Sequence, residues 1–176
     1  MAAASASAKP HYEGDPNEVE LVGPVIKIKP RGLDIIWGND KRYWRIPTKN
    51  DNGSAELIQV CWLEVTALLP LSRLQVGKKY NVRFDVSLKA DAFGWNKQTP
   101  LYLAAKIGKK GKYKLKSSSI ASSPEAETIN ISLGEPLEIN EDEKNSGGML
   151  YFGLYELGGR WKGGLLIKEA RVEQID

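Results

Sequence analysis

Leu33–Ile46 reads LDIIWGNDKRYWRI, and the fold turns on it. Leu33, Ile35 and Trp37 alternate with Asp34 and Ile36, the two-residue period of a strand that buries one face. Gly38, Asn39 and Asp40 supply turn chemistry, because glycine tolerates a positive φ and the two short polar side chains bond their own backbone. A second short strand, 43–46, follows. This unit predicts a β protein with two indoles, Trp37 and Trp44, at the ends of a polar loop. Such a loop has the chemistry to hold a pyranose, whose C–H face stacks on an indole while its hydroxyls meet planar polar groups. From spacing alone, the plainer reading is that both indoles are plugs at the end of a sandwich core, since a Trp beside a turn is commonly structural.

Working outward, Glu56–Val65 (ELIQVCWLEV) predicts a central strand covered on both faces, with Trp62 in the core. Lys79–Leu88 alternates Tyr80, Val82, Phe84, Val86 and Leu88 against Arg83, Asp85 and Ser87, a half-exposed antiparallel strand. VIKIK at Val25–Lys29, stopped by Pro30, predicts an edge strand. Ala67–Leu74, with Pro70, predicts a helical turn or a connection. Residues 101–107 and 113–115 predict a hairpin joined by GKKGK, and 128–133 a further short strand. An acidic loop covers 136–148. Met149–Glu156 and Trp161–Val172 predict a last hairpin turning at Gly158-Gly159. Gly163-Gly164 would weaken its returning strand unless a bulge bends it there or another group approaches its backbone. The sum is an all-β, antiparallel two-sheet β-sandwich of jelly-roll type. A domain at 23–176 would follow a flexible tail at 1–22, with Leu21 and Val22 docking on the body.

Composition removes several function classes. The 176 residues suit one domain, and a net charge of +3 is too small to imply a polyanionic partner by itself. The single cysteine, Cys61, forms no internal disulfide and reads as a small buried hydrophobe. The single histidine, His11, allows neither a His-based triad nor a multi-His metal site, and no cofactor is indicated. No apolar run reaches membrane-span length, and MAAASASAK lacks the apolar stretch of a signal peptide, which predicts the cytosol or nucleus. A glycoside hydrolase needs two carboxylates facing across a cleft, and no such pair is legible, so no enzyme is expected.

Three polar or aromatic features remain. Phe93 and Trp95 in the 90–100 loop read as a local plug or as part of a binding rim. Lys109, Lys110 and Lys112, within the 106–116 lysine cluster, read as a solvated edge-protecting hairpin, a nuclear signal or a phosphate-contacting patch. The alternative function is an RNA- or protein-binding module that uses this 106–116 hairpin; nucleic-acid binding there would be secondary and steeply salt-dependent. Glu156 and Lys162 flank the last turn, where the carboxylate suits sugar hydroxyls and acetamido N–H groups but also makes an ordinary surface pair.

The order and wording of these pieces resembles the phloem protein 2 family of plant lectins. The matching residues are LDIIWGNDKRYW (33–44), ELIQVCWLEV (56–65), YNVRFDVSLK (80–89) and YELGGRWKGGLLIKEARV (155–172), a resemblance that spans 24–176. It implies a jelly-roll sandwich like that of carbohydrate-binding modules. It also implies non-catalytic binding of chito-oligosaccharides and of the chitobiose core of N-glycans, a role in plant defence or in phloem sap, and a homodimer. By position, Trp37 and Trp44 match the two tryptophans of the family's sugar site, with Trp44 the first choice as stacking platform and Trp37 bracing the loop. Glu156 matches the acidic residue before the Trp-Lys-x-Gly motif, here Trp161–Gly164 with Lys162 inside it. Asn39, Asp40 and Glu156 would read hydroxyl and acetamido groups, and Trp161 would belong to the core. The chain departs from some members at Met149, where they carry an acidic residue, and its final turn is a residue shorter.

Overall fold

Two antiparallel sheets pack face to face in the computed structural model, which describes residues 9–121, 123–124 and 127–175. One contains β1 (Val19–Val22), β2 (Val25–Ile28), β4 (Trp44–Arg45), β5 (Ala55–Leu57), β7 (Lys79–Phe93), β10 (Ile129–Ser132), β11 (Leu137–Glu138) and β13 (Gly163–Gln174). Its spine is β13, with β7 along one side and both β2 and β5 along the other. The other sheet runs in the order β3 (Asp34–Ile35), β6 (Leu63–Pro70), β12 (Met149–Glu156), β8 (Leu101–Ile107), β9 (Lys114–Ser118).

Strand alternation builds the core between them. Val82, Phe84 and Val86 of β7 and Leu150, Phe152 and Leu154 of β12 are buried, and the rings of Phe84 and Phe152 meet with centroids 5.4 Å apart. Among the outward positions of β6 and β12, Glu64, Thr66, Tyr151 and Tyr155 are half-buried and Leu68 is exposed. This is the one-face-wet pattern of antiparallel sheets.

Several expected elements are rearranged, for one recurring reason. Glu56–Val65 is not a single strand: Ala55–Leu57 joins one sheet, Leu63–Pro70 joins the other, and the chain between them crosses the sandwich edge. Trp62 lies on that crossing and is exposed, not in the core. The last two strands are likewise no hairpin, since β12 pairs with β6 and β8 while β13 pairs with β2, β5 and β7. Strand periodicity shows which face of a segment is buried, but not which sheet it joins.

Smaller differences follow from local chemistry. Val25–Ile28 is an inner strand because β1, within the expected tail, covers its edge. Ala67–Pro70 continues β6, and only Leu71–Arg73 forms a 3-10 turn. Within the acidic loop, Glu141–Asn145 makes one helical turn, α1, whose Asn140 side chain accepts from the Glu143 N–H. From Lys9 onward the expected tail lies on the body: Tyr12 bridges Ile35, and Lys29 N–H donates to Glu18 C=O at 3.0 Å. The first eight residues lie outside the described ones.

Candidate functional site

The Leu33–Ile46 stretch carries the chain from one sheet to the other, with β3 on the five-stranded side and β4 on the eight-stranded side. Between them the turn is tight: Gly38 N–H donates to Ile35 C=O at 2.9 Å, and Tyr43 and Trp44 N–H both donate to Asp40 C=O, at 2.9 and 3.0 Å. Trp37 pays for that tightness with φ +65°, the only positive φ at a non-glycine among the described residues. A bulky side chain in this region costs on the order of 1–3 kcal/mol and persists only where neighbours hold it.

The N-terminal segment supplies the hold. His11 Nδ1 accepts the Trp37 N–H at 2.9 Å, and the Asn39 amide donates to the carbonyls of Lys9 and His11, both at 2.9 Å. The His11 ring meets the Trp37 indole edge-on at 5.2 Å. Asn39 therefore ties down the strap beneath Trp37 and has its amide N–H groups committed. Asp40 accepts from Arg42, and that bonded guanidinium holds its carboxyl below the usual carboxylate range.

The second wall is the 157–161 turn, and a buried ammonium organises it. Lys162 has no exposed surface; its Nζ donates to the carbonyls of Cys61 (2.5 Å), Gly158 (3.2 Å) and Arg160 (3.2 Å) and is ion-paired to the buried Glu156. Glu156 in turn accepts the Gly158 N–H at 3.0 Å. The backbone bridge Val60↔Lys162 closes the unit. Two crossings between the sheets are thus stitched through one cation, with Trp62 and Trp161 standing on them.

These walls bring three rings together. Trp37 meets Tyr43 edge-on at 5.9 Å, and Tyr43 lies nearly parallel to Trp161, at 29° and 6.5 Å. Arg42 sits over Tyr43 at 5.1 Å. Trp161 is 52% exposed and Trp37 39%, so both indoles present ring surface to solvent. Trp62, also exposed, donates its indole N–H to Glu64 at 3.0 Å.

The sequence-derived candidates are placed unevenly. Trp37, Asn39 and Asp40 share the loop as expected, but Trp44 is only 2% exposed and packs in the core, so it offers no face to a ligand. The reason is register: Trp44 pairs with Leu57 at the sheet edge and points inward, while Arg45 points out. Glu156 and Lys162 are a buried structural pair, not exposed sugar-reading groups. Trp161, expected in the core, is exposed, because the turn before β13 is outside both sheets. Trp95 is half-buried and donates to Gly163 C=O at 3.0 Å, which makes it a brace behind the glycine pair. Lys109, Lys110 and Lys112 lie in the β8–β9 turn at the opposite end of β12 from this rim, with the α1 acids Asp142 and Glu143 lining the same surface cleft as Lys109 and Lys110. Sequence reasoning missed Tyr43 and His11; a tyrosine one residue before an inward Trp was the available signal for the first. The second had none, since its contact spans 26 positions of chain.

The family model described as phloem protein 2 matches residues 24–173. The chain is 42% identical over 163 residues to protein phloem protein 2-like A9 of Arabidopsis thaliana, covering 84% of this chain and 86% of that one. It is also 42% identical over 69 residues to a lectin of Luffa acutangula, covering 37% of this chain and 33% of the relative. Among solved structures, the CBM22-1 xylan-binding domain from Paenibacillus barcinonensis Xyn10C aligns with a TM-score of 0.44 and 12% identity, over 94% of this chain and 90% of that one. With the family model covering residues 24–173, this chain belongs to the phloem protein 2 family.

Proposed function

We propose that the Trp37–Tyr43–Trp161 rim binds carbohydrate without catalysis, with N-acetylglucosamine oligomers and the chitobiose core of N-glycans as its ligands. The observation that carries this reading is the unbroken run of three aromatic rings at the surface, two of them exposed indoles, held in place by a strained backbone and a buried ion pair. Rigid aromatic faces are what a sugar C–H face requires. A relative being called a lectin, and family membership, support the same reading.

Polar recognition falls to groups different from those the sequence suggested. Asn39 and Asp40 are engaged within the fold, whereas the side chains of Lys41 and Arg160 are exposed and make no bond to another described residue. They flank the rim on its two walls and suit sugar hydroxyls and acetamido carbonyls, which accept. A shallow rim of this kind binds at roughly 10⁻³ to 10⁻⁶ M.

Tryptophan fluorescence titrated with chitotriose tests it. Trp161→Ala should weaken binding about tenfold or more, equal to about 1.4 kcal/mol or more, while Trp44→Phe should leave affinity unchanged. Because the ligand is neutral, the dissociation constant should barely respond to salt. A flat response from folded wild-type protein overturns the reading.

A further inference from the structure

The outer face of the five-stranded sheet carries a second aromatic surface, which shares none of the three rim rings and meets the rim's second wall only at Leu157 and Gly158. Register builds it: Tyr155 of β12 lies opposite Tyr102 of β8, and Ala104 lies opposite Gly153 on one side and Leu115 on the other. Tyr113 completes a groove of about 550 Å³ whose floor is Ala104 and whose lip is Leu157. A methyl group at Gly153 would stand 2.7 Å from the Val65 carbonyl oxygen, 2.9 Å from the Thr66 methyl and 3.1 Å from the Tyr155 ring, so the sheet there has room only for glycine beside that ring. Tyr102, Tyr113, Leu115 and Leu157 are all at least 43% exposed, an apolar patch that a monomeric protein rarely leaves without a use.

The groove's charges are already satisfied. Glu156 on its wall is paired with Lys162. The Lys106 ammonium lies over the Tyr113 and Tyr151 rings, at 4.7 and 5.4 Å, and donates to Lys109 C=O. Lys114, on the edge strand, is turned to Glu135 at 3.3 Å. None of the described residues lining the groove is a cation, so its lining offers an anionic ligand no counter-charge. The hydroxyls of Tyr102, Tyr113 and Tyr155 make no hydrogen bond to a described residue, and an apolar protein face laid over them would leave each unpaired. A ligand that stacks on the rings and also bonds their hydroxyls fits both conditions.

We propose that this tyrosine groove is a second carbohydrate-binding surface, taking a neutral glycan chain laid across β12, β8 and β9. Ring faces meet sugar C–H faces, and the phenols exchange hydrogen bonds with the sugar hydroxyls. Two surfaces on one protomer would let a single chain bridge two glycans, and the gain in avidity needs no new contact.

Backbone ¹H–¹⁵N spectra of the whole protein, titrated with chitohexaose and with cellohexaose, test this. The amides of Ala104, Leu115 and Tyr155 should shift saturably with at least one hexaose, in wild type and in Trp161→Ala alike. In Tyr102→Ala/Tyr113→Ala those shifts should require about tenfold more sugar, while rim shifts at Tyr43 and Trp161 persist. If that double variant fails to fold, Leu115→Ala on the edge strand carries the same expectation of weakened groove shifts. Groove amides that stay still with both hexaoses at millimolar concentration overturn the proposal. So do groove amides that move with protein concentration alone, which would mark a contact between copies. Rim shifts absent while groove shifts remain would overturn only the rim reading above.

Discussion

Trp37, Trp44 and Trp161 show how little residue type says about role. Trp37 reaches the surface in a conformation that bulky residues avoid, Trp44 seven positions on is buried, and Trp161 is exposed by the turn it belongs to. What fixes all of this is the polar frame beneath. Lys162 sets a single ammonium against three carbonyls and one carboxylate, and of those partners only Glu156 is a buried residue, so its removal leaves that carboxylate without its cation. Lys162→Met should destabilise the fold by about 3–5 kcal/mol in urea unfolding, because Glu156 is left charged and unpaired. Lys162→Met/Glu156→Leu should recover part of that loss, since no unpaired charge remains. Equal losses in the single and double variants would show that the carbonyls, not the ion pair, carry the energy.

At the scale of an element, β13 explains the glycine pair that weakens its sequence pattern. The ladder with β7 slips between Gly163 and Leu165, and Gly164 has φ +80°. A methyl group there would stand 2.5 Å from Ala92 Cα, and one on Gly163 would overlap the Ile58 carbonyl and the Phe93 ring. Both readings of the pair therefore hold at once: a bulge at one glycine and a close approach at the other. Gly164→Ala combines a positive φ with that overlap and should cost more than about 1 kcal/mol, read as a lowered urea midpoint at unchanged slope.

The outer tyrosine row of β12 has a pH signature of its own. Burial, then the neighbouring Tyr113 and Glu64 charges, push the Tyr155 phenol up from 10.0 to about 12. A folded value above the unfolded one favours the protonated form in the fold. This contribution is complete below pH 10.0 and is lost as pH rises through about 12. Burial also raises the Tyr12 phenol, so tyrosinate absorbance should show a late-ionising component that Tyr155→Phe reduces without abolishing; an unchanged titration would contradict the burial of Tyr155.

At the scale of the whole molecule, the site exists because the chain changes sheets. Leu33–Ile46, the 58–62 segment and the 157–161 turn all cross the same end of the sandwich, and the aromatic rings stand on these crossings. The lysine turn sits at the other end of β12, beside the acids of α1, and has no part in the rim. No helix among the described residues is long and apolar enough to cross a membrane.

The sequence by itself determined the β class, most strand positions and the neighbourhood of the site. Two-residue alternation at Lys79–Leu88 and Met149–Glu156, and turn chemistry at Gly38–Asp40, are local properties that each segment carries wherever it goes. Only the tertiary structure decided which indoles are exposed, which sheet each strand joins, and that Glu156 and Lys162 brace the turn from inside. The physical reason is that alternation fixes the buried side of a strand but not its partner. Trp44 turns inward through pairing with Leu57, thirteen residues on, and Trp37 is held by a histidine twenty-six residues before it. Contacts so distant in sequence leave no period to read.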